Sequence, residues 1–173
     1  MTEKQKIIEY RKLSIQNKTM PSNHLFKAKL NWTSTAKESI SSTKTYQKTH
    51  QISIEGKEIL NVSAAKAFKG DPNLYNPEDL LLSSLVSCHM MSYLYVCSQN
   101  GIDVLSYQDD AEATLEVSEN SAGRFTEVRL YPKVVIQQKD KIDLALSLHS
   151  KANELCFIAN SCNFKVVHHP SCT

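Results

Sequence analysis

The sequence predicts an α+β domain, on three observations. Segments with an apolar residue at every second position occur in runs. One long apolar segment carries both the start and the stop signals of a helix. A second segment repeats its buried-type residues at helical spacing. The order is three strands, a helix, two strands, a helix and a last short strand. Strands that neighbour one another in sequence favour antiparallel pairing, which separates this class from alternating α/β. The 173 residues suffice for one domain with its own core. Residues 1–23 are polar, end near Pro21-Ser22-Asn23 and are expected to be a tail or arm, with Ile7, Ile8, Tyr10, Leu13 and Ile15 able to line a short helix; residues 24–173 are expected to be the domain.

The first strand follows from Phe26, Ala28, Leu30 and Trp32, which alternate with Lys27, Lys29 and Asn31 as a half-buried strand should. Tyr46, Lys48, His50, Ile52 and Ile54 repeat the pattern, Glu55-Gly56-Lys57 reads as a tight turn, and Glu58 to Ser63 as a third strand. Asn76 is then a plausible N-cap, Pro77 suits the first helical position, and Glu78 and Asp79 set negative charge in the first turn. The helix runs through Leu80 to Cys97 and stops at Asn100-Gly101. Two strands follow, around Tyr107 to Glu119 and Arg124 to Gln137, joined by the loop Asn120-Ser121-Ala122-Gly123; Pro132, lacking an N–H, marks an edge or a bulge. A second helix begins near Asp140, with Ile142, Ala145, His149, Ala152 and Cys156 at helical spacing, and Phe164 to Val167 make the last strand.

Charge is nearly balanced at +2 and interspersed, which argues against nucleic acid as the main partner. The first twenty residues carry basic groups but no apolar h-region, so the expected compartment is the cytosol, where thiols stay reduced. The long helix is apolar on nearly every face, and such a helix is either buried or in a membrane. Ser83, Ser84, Ser87, His89, Ser92 and Ser98 interrupt it, which favours burial. One subunit of this size can hardly cover it, so a homodimer in which two such helices pack together is expected.

Five cysteines cannot all pair within one chain. Cys88 sits mid-helix, where a small buried filler and a reactive thiol are both open readings. Cys97 lies nine residues on, about the opposite side of the same helix. Cys156 ends the second helix, Cys162 follows it, and Cys172 is terminal. Cys162, His168, His169 and Cys172 match no zinc spacing, and adjacent histidines on a strand point apart, so no metal is expected. No GxSxG elbow supports a serine nucleophile.

Asn76-Pro77-Glu78-Asp79-Leu80-Leu81, Ser87-Cys88-His89-Met90 and Cys156-Phe157-Ile158-Ala159-Asn160-Ser161, with Gly70-Asp71-Pro72 and Gly123-Arg124-Phe125-Thr126-Glu127-Val128, resemble the OsmC/Ohr family over roughly residues 26 to 170. That family comprises osmotically inducible protein C and the organic hydroperoxide resistance proteins. The resemblance implies an intertwined α+β homodimer with antiparallel sheets around long central helices, and thiol-dependent reduction of organic hydroperoxides with no cofactor. It assigns Cys88 as the peroxidatic thiol, Cys156 as the resolving thiol and Glu78 as the acid of an Arg–Glu pair. Lys69 stands where this branch carries the arginine, with Lys48 as a second candidate; lysine brings charge but not a planar fork. The expected partners are a hydroperoxide and a thiol or dithiol reductant. A redox sensor or a small-molecule-binding stress protein on the same scaffold is the alternative.

The expected chemistry is attack of a Cys88 thiolate on the distal peroxide oxygen, giving a sulfenic acid that Cys156 converts to a disulfide. A cation must offset the cost of burying a thiolate. Glu78 and Cys88 are ten residues apart, about 15 Å along one helix and some 80° apart around it. The expectation is therefore a composite site: Cys88 and Cys156 from one subunit, Glu78 and its basic partner from the other.

Overall fold

The computed structural model describes residues 23–33, 46–120 and 122–173. The tail and the helix placed on it lie almost wholly outside the described residues, as does Ser121 of the hairpin loop. A first antiparallel sheet is built from β1 (Lys29–Asn31), β2 (His50–Ser53) and β3 (Leu60–Val62), in that order. The turn between β2 and β3 uses Gly56 at φ 75°, the left-handed region that glycine reaches without strain. The half-burial expected of β1 is corrected. Its strand is only three residues long, and Phe26, Leu30 and Trp32 are 89%, 61% and 45% exposed in the single chain. The sheet reaches the rest of the molecule through a parallel bridge between Val62 and Tyr75, where Ser63 N donates to Tyr75 O at 2.8 Å.

Helix α1 (Pro77–Gln99) starts as its sequence dictates. Asn76 accepts from Asp79 N at 2.8 Å, Asp79 accepts in return from Asn76 N at 3.3 Å, and Pro77 occupies the first turn. Asn100 caps the other end, followed by Gly101 at φ 63°. Leu85, His89, Tyr93, Val96 and Cys97 form its buried stripe. Met91 and Tyr95, apolar in sequence, stay more than half exposed in one chain. By length and composition α1 is also apolar enough to cross a membrane; its buried stripe makes it the core helix of this fold.

Each of the two long strands expected after α1 is in fact two. β4 (Val104–Asp109) and β5 (Glu112–Val117) lie in different sheets, as do β6 (Gly123–Leu130) and β7 (Pro132–Ile136). The alternation runs on through both breaks, so the pattern did not reveal them. Asp109 accepts from Tyr131 N at 2.7 Å, which clamps the two breaks side by side. Pro132 is therefore neither at an edge nor at a bulge: it is the buried first residue of a central strand, where a missing N–H is tolerated.

The chain closes with α2 (Ile142–Leu155), the single turn α3 (Phe157–Asn160), β8 (Lys165–His168) and β9 (Ser171–Cys172). The sheet orders are β4-β7-β9 and β5-β6-β8. Pairings β6–β8 and β7–β9 are parallel, a departure from all-antiparallel sheets that follows from the helical crossover between their members. One core joins Tyr93, Val96, Cys97, Ile102, Val134, Ile136, Ala145 and Ala152; a second joins Leu85, Val128, Leu130 and Cys156.

Candidate active site

The two thiols singled out by their motifs meet in the second core. Cys156 follows the last turn of α2, turns the chain to extended backbone and caps α3, its Sγ accepting from Ala159 N at 3.4 Å. It is fully buried, while Cys88 on α1 is half-buried and packs against the same cluster. The Cys88 side chain packs close enough to the Cys156 thiol to act on its ionisation. Burial, and then this contact, push the Cys156 thiol up to about 11, so it is a protonated thiol at neutral pH. Cys88 also lines an apolar cavity of about 390 Å³ with Met91, Ser92, Tyr95, Leu155 and Phe157.

Cys97 faces away from this pair, as the helical spacing requires. It is buried in the first core, in contact with the Tyr93 phenol, and burial raises its pKa. Cys172 packs against the same core from β9. Cys162 follows α3, its N–H bonded to Ala159 O.

Glu78 sits elsewhere, in the first turn of α1, lining a separate cavity of about 510 Å³ with Trp32, Lys48, His50 and Ser63. Its Oε2 is buried with no hydrogen-bond partner among the described residues. Lys48 is half-buried in this cavity; its ammonium donates to Phe68 O and lies 5.8 Å from the centre of the Tyr46 ring. Lys69 is exposed on the adjacent turn, at φ 61°, and is not among the residues lining the cavity. Gly70 beside it admits no side chain, since a Cβ there would stand 1.7 Å from Ala64 O. Within one chain the structure thus brings Cys88 to Cys156, and Glu78 to Lys48, but it leaves the two pairs in separate cavities.

The sequence reading missed a group beside the thiols. His89, next to Cys88, places Nε2 3.1 Å from Nδ1 of His149 on α2. His168 of β8 stacks on His89 at 4.4 Å, and Tyr93 stacks on His149 at 3.9 Å. His169 turns away to stack on Tyr131 at 5.2 Å, so the adjacent rings do point apart. Burial, followed by the neighbouring imidazoles, lowers His89 to about 3 and His149 to about 4, so both are neutral at physiological pH. The available signal was His149 between Ala145 and Ala152 on one helix face: a polar residue flanked by small ones on the side turned to the core.

Comparison with known proteins agrees with the fold. No match was found among curated proteins. An OsmC-like protein of unknown function from Vibrio cholerae is 26% identical, with a TM-score of 0.78 over 86% of this chain and 100% of its own. At 16% and 18% identity, an organic hydroperoxide resistance protein of Legionella pneumophila and OhrB of Bacillus subtilis share the fold. Their TM-scores are 0.66 and 0.59, over 88% and 86% of this chain and 99% and 100% of theirs. The family model described as OsmC-like protein matches residues 70–169, which takes in α1, both thiols and the histidines, and the chain belongs to the OsmC/Ohr family.

Proposed function

We propose that the protein is a cytosolic thiol peroxidase that reduces organic hydroperoxides. The observation that carries this is the contact between the Cys88 and Cys156 thiols at the edge of an apolar cavity. The Cys88 thiolate attacks the distal oxygen of ROOH, the O–O bond breaks, and the alkoxide leaves as ROH with a proton. The resulting Cys88 sulfenic acid meets a thiol already beside it. Cys156 forms the S–S bond, and its proton leaves with the sulfenic hydroxyl as water. An external dithiol restores both thiols and is oxidised to its own disulfide. No step calls for a metal or an organic cofactor. The lining of Met91, Tyr95, Leu155 and Phe157 suits an alkyl or aryl R group rather than hydrogen peroxide.

The cation that stabilises the Cys88 thiolate comes, in this reading, from the second subunit of a homodimer. Met91, Leu94 and Tyr95 of α1 and Phe26, Leu30 and Trp32 leave large apolar side chains exposed in the single chain, the kind of surface a partner covers. Burying it against a second copy carries the Glu78 cavity of one chain towards the Cys88 cavity of the other and gives the unpartnered Glu78 oxygen a partner. Lys48, which shares the cavity with Glu78, is better placed than the exposed Lys69 to be that cation.

Consumption of cumene hydroperoxide with excess dithiothreitol tests the reading. Many turnovers per chain are expected from the native protein and none from Cys88→Ser. A single stoichiometric oxidation would point to a sensor instead.

A further inference from the structure

The buried histidines are costly to the fold. His89 Nδ1, His149 Nε2 and His168 Nε2 are all buried without a hydrogen-bond partner among the described residues, and His89 and His149 are only 1% and 2% exposed. Leucine or phenylalanine would fill the same space without leaving polar atoms unsatisfied. What apolar side chains do not supply is direction, and directional contacts between these two helices are few. Ala145 and Ala152, fully buried, flank His149 on the face that α2 turns to the core. Small apolar residues let helices approach closely but resist sliding weakly. Among the described residues two hydrogen bonds cross between the bodies of α1 and α2: His89 to His149, and Tyr93 Oη to Ala145 O at 3.1 Å.

The first of these has a particular place. His89 is the residue after Cys88. His149 lies seven residues before Cys156, two turns or about 10 Å along α2. We propose that His89 and His149 are positioning residues for disulfide formation: their hydrogen bond holds α2 in the register on α1 at which the Cys156 thiol meets Cys88. The inference rests on the peroxidase reading above. The step it governs is Cys88–SOH plus Cys156–SH giving the disulfide and water, with hydroperoxide as the oxidant that made the sulfenic acid. The bond needs one ring to donate and the other to accept, which neutral imidazoles do. The ionisable groups that face the pair are His168, which acts on both His89 and His149, His169 behind it, and the Tyr93 phenol stacked on His149, which burial keeps protonated.

The atoms involved allow a sharp test. At position 149 the bonding atom is Nδ1, which an asparagine amide mimics and a glutamine amide overshoots. At position 89 it is Nε2, which glutamine mimics and asparagine does not reach. Rapid mixing with cumene hydroperoxide separates Cys88 oxidation from the disulfide closure that follows. His149→Phe keeps a ring against Tyr93 but loses the bond. Its closure is expected to slow about tenfold, the order of effect of one lost buried hydrogen bond, with sulfenic acid accumulating and the first phase unchanged. His149→Asn is expected to recover most of the rate and His149→Gln little of it. Equal closure in native protein and His149→Phe, or equal rates in the Asn and Gln variants, would overturn the proposal. Should His149→Phe fail to fold, the His89→Gln and His89→Asn pair decides, with the order reversed. Closure driven by diamide, which involves no peroxide, separates the two claims. If diamide gives the same ranking while hydroperoxide leaves native Cys88 unoxidised, the peroxidase reading fails and the positioning role stands.

Discussion

Acid should weaken this fold through its buried imidazoles, and the size of the effect follows from the site. His89 and His149 are held near 3 and 4 in the folded chain, against about 6.5 in an unfolded one. As pH falls below 6.5 the unfolded chain takes up protons that the folded chain refuses, so stability is lost on the acid side and is fully present above that value. Between pH 7.5 and 5.0 each imidazole costs about 2 kcal/mol, or about 4 kcal/mol for the two, by proton linkage. That is a large part of the 5–15 kcal/mol typical of a whole domain. With a urea slope of about 2 kcal/mol/M, the unfolding midpoint should fall by about 2 M. Urea titrations at both pH values, at one fixed protein concentration, measure it. His149→Phe isolates the cause: it starts weaker at pH 7.5 but should lose about 2 kcal/mol less than native protein on acidification. Equal acid sensitivity in the two proteins would refute the linkage argument, since carboxylates elsewhere are common to both.

The remaining predictions concern the thiols, the dimer and the helix start. Cys156→Ser should oxidise once and leave a Cys88 sulfenic acid that dimedone traps, seen as a mass adduct on the Cys88 peptide. Peptide mapping of oxidised native protein should find Cys88 joined to Cys156 within one chain, and a Cys88–Cys97 bond would contradict the opposed faces of α1. Cys88→Ser and Glu78→Gln proteins, each inactive, should regain turnover when their subunits exchange, because each mixed dimer then holds one intact composite site; no recovery would place Glu78 and Cys88 in the same site of one chain. Asn76→Ala should lower stability by about 1 kcal/mol by removing the capping box at the start of α1, read from the urea midpoint.

What was legible in the sequence is what short-range chemistry encodes. The capping box at Asn76 and Asp79, proline in the first turn and the Asn100-Gly101 stop define α1 within a few residues of one another, and the opposite facing of Cys88 and Cys97 follows from 100° per residue. The strand breaks at 110–111 and at Tyr131 were hidden because the alternation of apolar residues continues across them; the sheet switch is decided by Asp109 reaching Tyr131 N, a contact between residues 22 apart. The sequence offered Lys69 and Lys48 as candidate cations but not the choice between them. Lys48 lies 30 residues from Glu78, beyond a hairpin, and the two come to line one cavity where the bridge between Val62 and Tyr75 joins the first sheet to the start of α1.

The histidines are the most instructive omission. At the level of pattern, His89 merely interrupts an apolar helix and His149 merely fills a core position. Their meaning depends on helix pairing, because an imidazole opposite leucine is a defect and an imidazole opposite another imidazole is a bond. The same logic separates the two halves of the candidate site. Cys88 and Cys156 meet within one chain because α2 crosses α1 beside them, and the bond from His89 to His149 lies at that crossing. Glu78 and Lys48 line a cavity at the N-terminal end of α1, beside a sheet whose apolar side is open in the single chain. On the proposed reading, the chain completes its dithiol internally and acquires the rest of its site by association. Resolving chemistry should therefore survive dilution to monomers, whereas thiolate activation should not.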